Sequence, residues 1–232
     1  MLKDSTMRRH LALLATAVWC GCVGSPQPEP HQAMTALLLE NVSFETSAEQ
    51  VVFRGGAGAV KQPATQLWGI GLVTRQRSAF SPIASDGSFT LAVPGTAAER
   101  FRIHAESGEA LAIDDLALEV GAIRPTRADG CGTGSAPQWI DVGDRAIGST
   151  TTFNVVLDNR CTSPITALGV SHIFGDGSVR LELPRPTTVA ALGAVDLVLT
   201  VSPQQTGDIL TILAVEFSDG PPFIITVTGR GR

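Results

Sequence analysis

Hydrophobic residues recur at every second position over several short stretches of the chain. In DGSFTLAV, Phe89, Leu91 and Val93 fall on one side, and Ser88, Thr90 and Ala92 on the other. In RFRIHA, Phe101, Ile103 and Ala105 share a face; Arg100, Arg102 and His104 are expected on the opposite one, in solvent. A period of two is that of an extended strand with one buried face. Asp86-Gly87 and the SGE at 107–109 supply turn chemistry, because glycine accepts positive φ and aspartate bonds its own backbone. Antiparallel strands linked by hairpins are expected.

Further along, seven segments are each bounded by Gly, Pro, Asn or Asp: Trp139–Val142, Thr151–Asp158, Ile165–His172, Val179–Leu183, Val195–Val201, Ile209–Phe217 and Phe223–Thr228. Phe153, Val155 and Leu157 point one way, and Val195, Leu197, Leu199 and Val201 share a face. Seven short strands at this spacing predict a β-sandwich of the Ig type, with two sheets closing over one apolar layer. A turn-rich stretch at 121–137, GAIRPTRADGCGTGSAP, separates this unit (131–232) from the earlier one (35–121). The fold class expected is all-β: two tandem Ig-like sandwiches after a leader and a short linker.

Two resemblances sharpen that reading. The stretch Gly56, Ala57, Gly58, Ala59, Val60 and Pro63, followed by Asp86 to Thr90, resembles bacterial Ig-like repeats of surface proteins. In the second unit IDVG, IGSTTTFNVVLDNRCTSPITALGV, LVLTVSPQQTGDILTILAV and ITVTGRG occur in that order. The set resembles the hydin-like, ASH-type Ig domain of bacterial choice-of-anchor D proteins. Leu192-Gly193 replaces that family's Pro-Gly turn, and Cys161 stands where Gly is frequent.

The first residues read differently. Lys3, Arg8 and Arg9 precede an apolar run from Leu11 to Trp19, the pattern of a secretion signal over residues 1–21, whether translation starts at Met1 or Met7. The run is about half the roughly 20 residues that a membrane-spanning helix needs. Gly21-Cys22 resembles the lipobox of bacterial lipoproteins, which implies lipidation of Cys22 and anchoring in the cell envelope, at the outer membrane. Attachment at Cys20 places bulky Trp19 before the cut; cleavage near Gly21 or Gly24 with release is the other outcome. Residues 22–34 then serve as a Pro-rich tether.

Composition narrows function by exclusion. Without the leader, 17 less three leaves 14 basic residues and 22 less one leaves 21 acidic, a net charge of −7, which argues against nucleic acid as partner. Two cysteines remain, Cys131 and Cys161; in an exported chain the pair is expected to form a disulfide, worth roughly 3.5 kcal/mol in the chain-entropy account.

No catalytic residue, metal ligand or cofactor site is expected. Neither a Gly-x-Ser-x-Gly nor a His-Glu-x-x-His motif is present, and Gly56-x-Gly58 lacks the helix and Lys-Ser/Thr of a phosphate loop. His104 and His172 are expected as solvent-facing strand residues, and Asp86-Gly87 and Gly175–Gly177 as turns. Asp114-Asp115 suggests a bulge or a charged edge. The NVSF sequon at 41–44 carries no implication for a bacterial exported chain. The reading is a non-enzymatic envelope protein that presents loops and strand edges to an envelope or extracellular protein. The alternative, a polysaccharide-binding module, would require Trp68 or Trp139 on an exposed flat face.

Overall fold

The computed structural model describes residues 36–60, 64–107, 110–126, 139–183, 186–219 and 222–232. Apart from a 3-10 turn at Leu39–Asn41, the elements are strands. In chain order they are β1 (Val42–Thr46), β2 (Gln50–Gly55), β3 (Gln66–Gly71), β4 (Ser81–Pro82), β5 (Phe89–Pro94), β6 (Arg100–Ser107), β7 (Ala110–Glu119) and β8 (Ala122–Pro125). Then come β9 (Trp139–Arg145), β10 (Thr151–Asp158), β11 (Ile165–Phe174), β12 (Val179–Glu182), β13 (Thr187–Val189), β14 (Ala194–Val201), β15 (Gly207–Phe217) and β16 (Phe223–Gly231).

The first eight strands form a three-stranded sheet, β1-β2-β5, and a five-stranded one, β4-β3-β6-β7-β8. Between them lie Phe53, Leu91 and Val93 from the small sheet and Leu67, Phe101, Ile103 and Leu116 from the large one. Phe53 meets Phe101 edge to face, with centroids 5.5 Å apart. The alternation read in Phe89–Val93 is realised strictly, every inward residue buried and Thr90 and Ala92 exposed. Gly69 is required between the layers: a Cβ there would lie 2.7 Å from both Ile103 Cδ1 and Val93 Cγ2.

The last eight strands repeat the plan with sheets β10-β14-β12 and β13-β11-β15-β16-β9. Phe153, Val155, Leu157, Leu197 and Leu199 face Leu213, Val215, Ile225 and Val227. Pairing is antiparallel except between β16 and β9, which run parallel. The eighth strand, β13, has only three residues, too few to leave a periodic trace, which is why the pattern yields seven segments.

Three expectations are corrected. Phe89–Val93 and Phe101–Ala105 are not hairpin partners, since β5 pairs with β2 and β6 with β7, in different sheets. The Asp86-Gly87 turn does form, with Gly87 at φ 84° and the Ser88 N–H donating to Asp86 Oδ1 at 3.0 Å. Asp114-Asp115 makes neither bulge nor edge: β7 lies between β6 and β8, and its register with β6 is continuous. Asp114 Oδ2 instead accepts the N–H groups of Ala36 and Leu37, at 2.9 and 2.8 Å. Most consequentially, Arg102 and His104 are not in solvent; both are fully buried.

Candidate functional site

Their burial follows from a third apolar layer. The outer face of the large first sheet carries Trp68 and Ile70, and it packs on Ile173, Ile212, Ala214 and Ile224 from the large second sheet. Strands β15 and β16 are therefore covered on both faces, and five consecutive residues in each, Thr211–Val215 and Phe223–Val227, are buried. Such continuous burial is expected of a strand between two layers rather than at a surface.

Arg102 stands directly opposite Asp115 in the β6–β7 register. Its Nε and Nη2 donate to the two carboxylate oxygens at 2.7 and 2.8 Å. The same guanidinium reaches across the junction: Nη1 donates to Thr226 Oγ1 at 3.0 Å and Nη2 to the Ile224 carbonyl at 2.9 Å. A planar fork of donors suits this geometry, in which two N–H groups satisfy the charge and two more join the two sandwiches.

His104 lies two residues on, its ring stacked on Trp68 at 3.6 Å and 8°. Its Nε2 is 3.1 Å from Thr226 Oγ1. That hydroxyl also receives Arg102 Nη1, and its second lone pair or its own proton meets Nε2 according to which ring nitrogen carries the hydrogen. Nδ1 is buried without a hydrogen-bond partner. Burial first, then the cations of Arg102 and Arg77, hold His104 well below the ordinary imidazole range.

Trp68 completes the cluster. Its Nε1–H donates to Glu106 Oε1, and the Arg77 guanidinium carbon lies 4.5 Å from its ring centroid. With His104 on one face of the indole, Arg77 takes the other, and it also covers Phe80 at 4.4 Å. Burial lowers the Arg77 pKa from the usual arginine value while Glu106 pulls it back.

This cluster joins the two sandwiches, and each of its carboxylates is engaged by a donor. The other expected positions lie apart. His172 is exposed on β11. Cys161 is half-buried in the turn after β10, its N–H donating to Asn159 Oδ1 at 2.9 Å. Cys131, Cys22 and Cys20 lie outside the described residues, as do the leader and tether. The hydroxyl and then the N–H of Ser88 hold the Asp86 carboxyl below the usual aspartate value, and those of Ser178 do the same for Asp176. Among the described residues, no three side chains of metal-ligating type come together. Gly56 and Gly58 donate their N–H groups to the carbonyls of Asn41 and Asp86, leaving none for a phosphate.

The two tryptophans weighed for sugar stacking are both buried: Trp68 is fully enclosed, and Trp139 is 7% exposed with its N–H on Thr228 Oγ1 at 2.7 Å.

Among the described residues, the outer edge of β1 lies open beside an apolar groove. Gly56 donates to the Asn41 carbonyl and Ser47 to that of Gln50, each at 2.9 Å. These bonds set the parity of the β1–β2 ladder, so Ser43 and Glu45 bond to β2 while the N–H and C=O of Phe44 and Thr46 point away from it. Among the described residues no strand pairs with β1 on that side. Beside it, between β1 and β8, runs a groove of about 430 Å³ whose apolar lining is Leu39, Val42, Phe44, Ala122 and Ile123. Val120, in the turn before β8, is fully exposed. Nothing in the alternation of the chain singles out Val42–Thr46, a short strand that the sequence reading passed over.

The chain is thus an all-β protein of Ig-like sandwiches. No protein-family model matches its sequence, and no curated protein does. Among solved structures it is similar to the seventh PapD-like (ASH) domain of human CEP192, at 15% identity and TM-score 0.38, over 50% of this chain and 96% of that one. A protein of unknown function from Porphyromonas gingivalis is similar at 16% identity and TM-score 0.37, over 84% and 98%. Native alpha-2-macroglobulin of E. coli matches at 10% identity and TM-score 0.34, over 83% of this chain and 17% of its own. Likenesses of this size say nothing of ligand or partner.

Proposed function

We propose that this protein is a non-enzymatic module of the bacterial envelope that docks another polypeptide by strand addition at β1. The observation that carries the reading is the outward main chain of Phe44 and Thr46 beside an apolar groove. An extended segment supplies the missing hydrogen bonds, each worth about 0.5–1.5 kcal/mol net, and its alternate apolar side chains enter the groove. No cofactor takes part. A polysaccharide partner is the weaker reading, because neither Trp68 nor Trp139 presents a flat aromatic face.

Proline substitution separates docking from folding. Thr46→Pro removes an N–H that points away from β2, so it is expected to abolish capture of the partner with little change in stability. Glu45→Pro removes a ladder donor and is expected to cost about 1–3 kcal/mol. Chemical cross-linking in envelope preparations, read with a denaturation curve for each variant, checks both; unchanged cross-linking by folded Thr46→Pro would refute docking at this edge.

The tether and lipid anchor at Cys22 belong to the same proposal, resting on the Gly21-Cys22 lipobox and the short apolar run before it. Palmitate labelling is expected to be lost in Cys22→Ser. Persistent labelling places the lipid on Cys20, and an unlabelled wild type means release. The Cys131–Cys161 bridge is tested on the same mature chain by thiol titration after denaturation without reductant; two free thiols from these positions would disprove it.

A further inference from the structure

The junction contains a titratable group that stability alone does not call for. His104 is fully buried, its Nδ1 has no partner, and its Nε2 meets a hydroxyl from the other sandwich. A leucine or phenylalanine would fill such a layer without an unmatched polar atom. We propose that the junction is an acid-sensitive lock, in which protonation of His104 releases the two sandwiches from one another.

The charges around the ring decide the direction. From β6 come Arg102 and Glu106, from β7 Asp115, and from the segment after β3 Arg77. Facing them across the junction, β16 presents Ile224 and Thr226, β15 presents Ile212 and Ala214, and β11 presents Ile173 and Phe174, none of which titrates. Two cations and two carboxylates sum to zero, and both carboxylates are committed, Asp115 to Arg102 and Glu106 to the indole N–H. A proton on His104 therefore adds one uncompensated buried charge between two arginines. It also makes both ring nitrogens donors: Nε2–H can donate to Thr226 Oγ1, whereas Nδ1–H has no acceptor.

Opening the junction hydrates the ring and restores an ordinary imidazole, which titrates near 6.5. The open form thus binds the proton and the docked form does not. Docking is strongest above that pH and weakens as pH falls below it, by up to about tenfold in the open-to-docked ratio per pH unit. Each sandwich keeps its own core, Phe53–Phe101 in one and Phe153–Leu213 in the other, so release leaves the sandwiches folded.

Small-angle scattering of the full mature chain from pH 8 to pH 5 tests this, with NMR methyl signals of Leu91 and Leu199 reporting on the two cores. The wild type is expected to expand reversibly below about pH 6.5 while both signals stay dispersed. His104→Gln, which keeps a polar amide but cannot take a proton, is expected to hold one radius throughout. A wild type that stays compact to pH 5, or a glutamine variant that expands over the same range, overturns the lock. Should His104→Gln be open at every pH, the wild-type ring resonances decide: protonation of His104 must coincide with the expansion, and a separation of the two events overturns the proposal.

Discussion

Asp115→Ala is expected to lower the stability of the chain by about 3–5 kcal/mol, a cost typical of a buried cation left without its partner. Arg102 has no solvent exposure, and the Asp115 side chain retains only 12%. Truncating Asp115 removes both acceptors that balance the guanidinium and leaves Thr226 Oγ1 and the Ile224 carbonyl as its partners. Neither carries a charge. Adding Arg102→Met to Asp115→Ala is expected to recover most of the loss, because the double variant buries no ion. Urea denaturation of the three variants checks this, and the single-variant loss should persist in high salt, which screens exposed pairs far more than buried ones. A loss under about 1 kcal/mol would mean that the pair behaves as a surface ion pair.

Trp68→Ala is expected to have a similar effect, about 3–5 kcal/mol, by a different route. The indole is the largest fully buried side chain of the junction. Its loss leaves a cavity between His104 and Arg77, removes the ring that both cover, and strands Glu106 without the indole N–H. Trp68→Phe retains much of the contact and should cost appreciably less, though Glu106 still loses its donor. Denaturation midpoints give the order, and inter-sandwich amide shifts at Ile224 and Thr226 should move in both variants. A surface tryptophan poised for a sugar would instead leave stability unchanged on truncation.

The sequence reveals the two interiors and conceals what lies between them. Phe89, Leu91, Val93, Phe153, Val155 and Leu157 declare their buried face through a polar residue at each intervening position. RFRIHA obeys the same rule, so Arg102 and His104 read as solvent-facing. What buries them is Thr226, Ile224 and their neighbours more than 120 residues away, and no local pattern encodes that contact. A trace does exist: Thr211–Val215 and Phe223–Val227 are apolar or neutral on both faces, which suits a strand covered twice. Combined with Arg102 opposite Asp115, it points to a polar pair inside a second interface. The open edge was less legible still. Val42–Thr46 is short, and its parity depends on turns at both ends rather than on its side chains.

That the two sandwiches form one rigid body through Arg102, His104 and Trp68 is tested most directly by residual dipolar couplings, measured on the full mature chain in a single aligned sample at neutral pH. One alignment tensor should fit the amides of Val42–Pro125 and Trp139–Gly231 together. Two tensors of different magnitude would show sandwiches that reorient independently, and the junction described here would then not hold them.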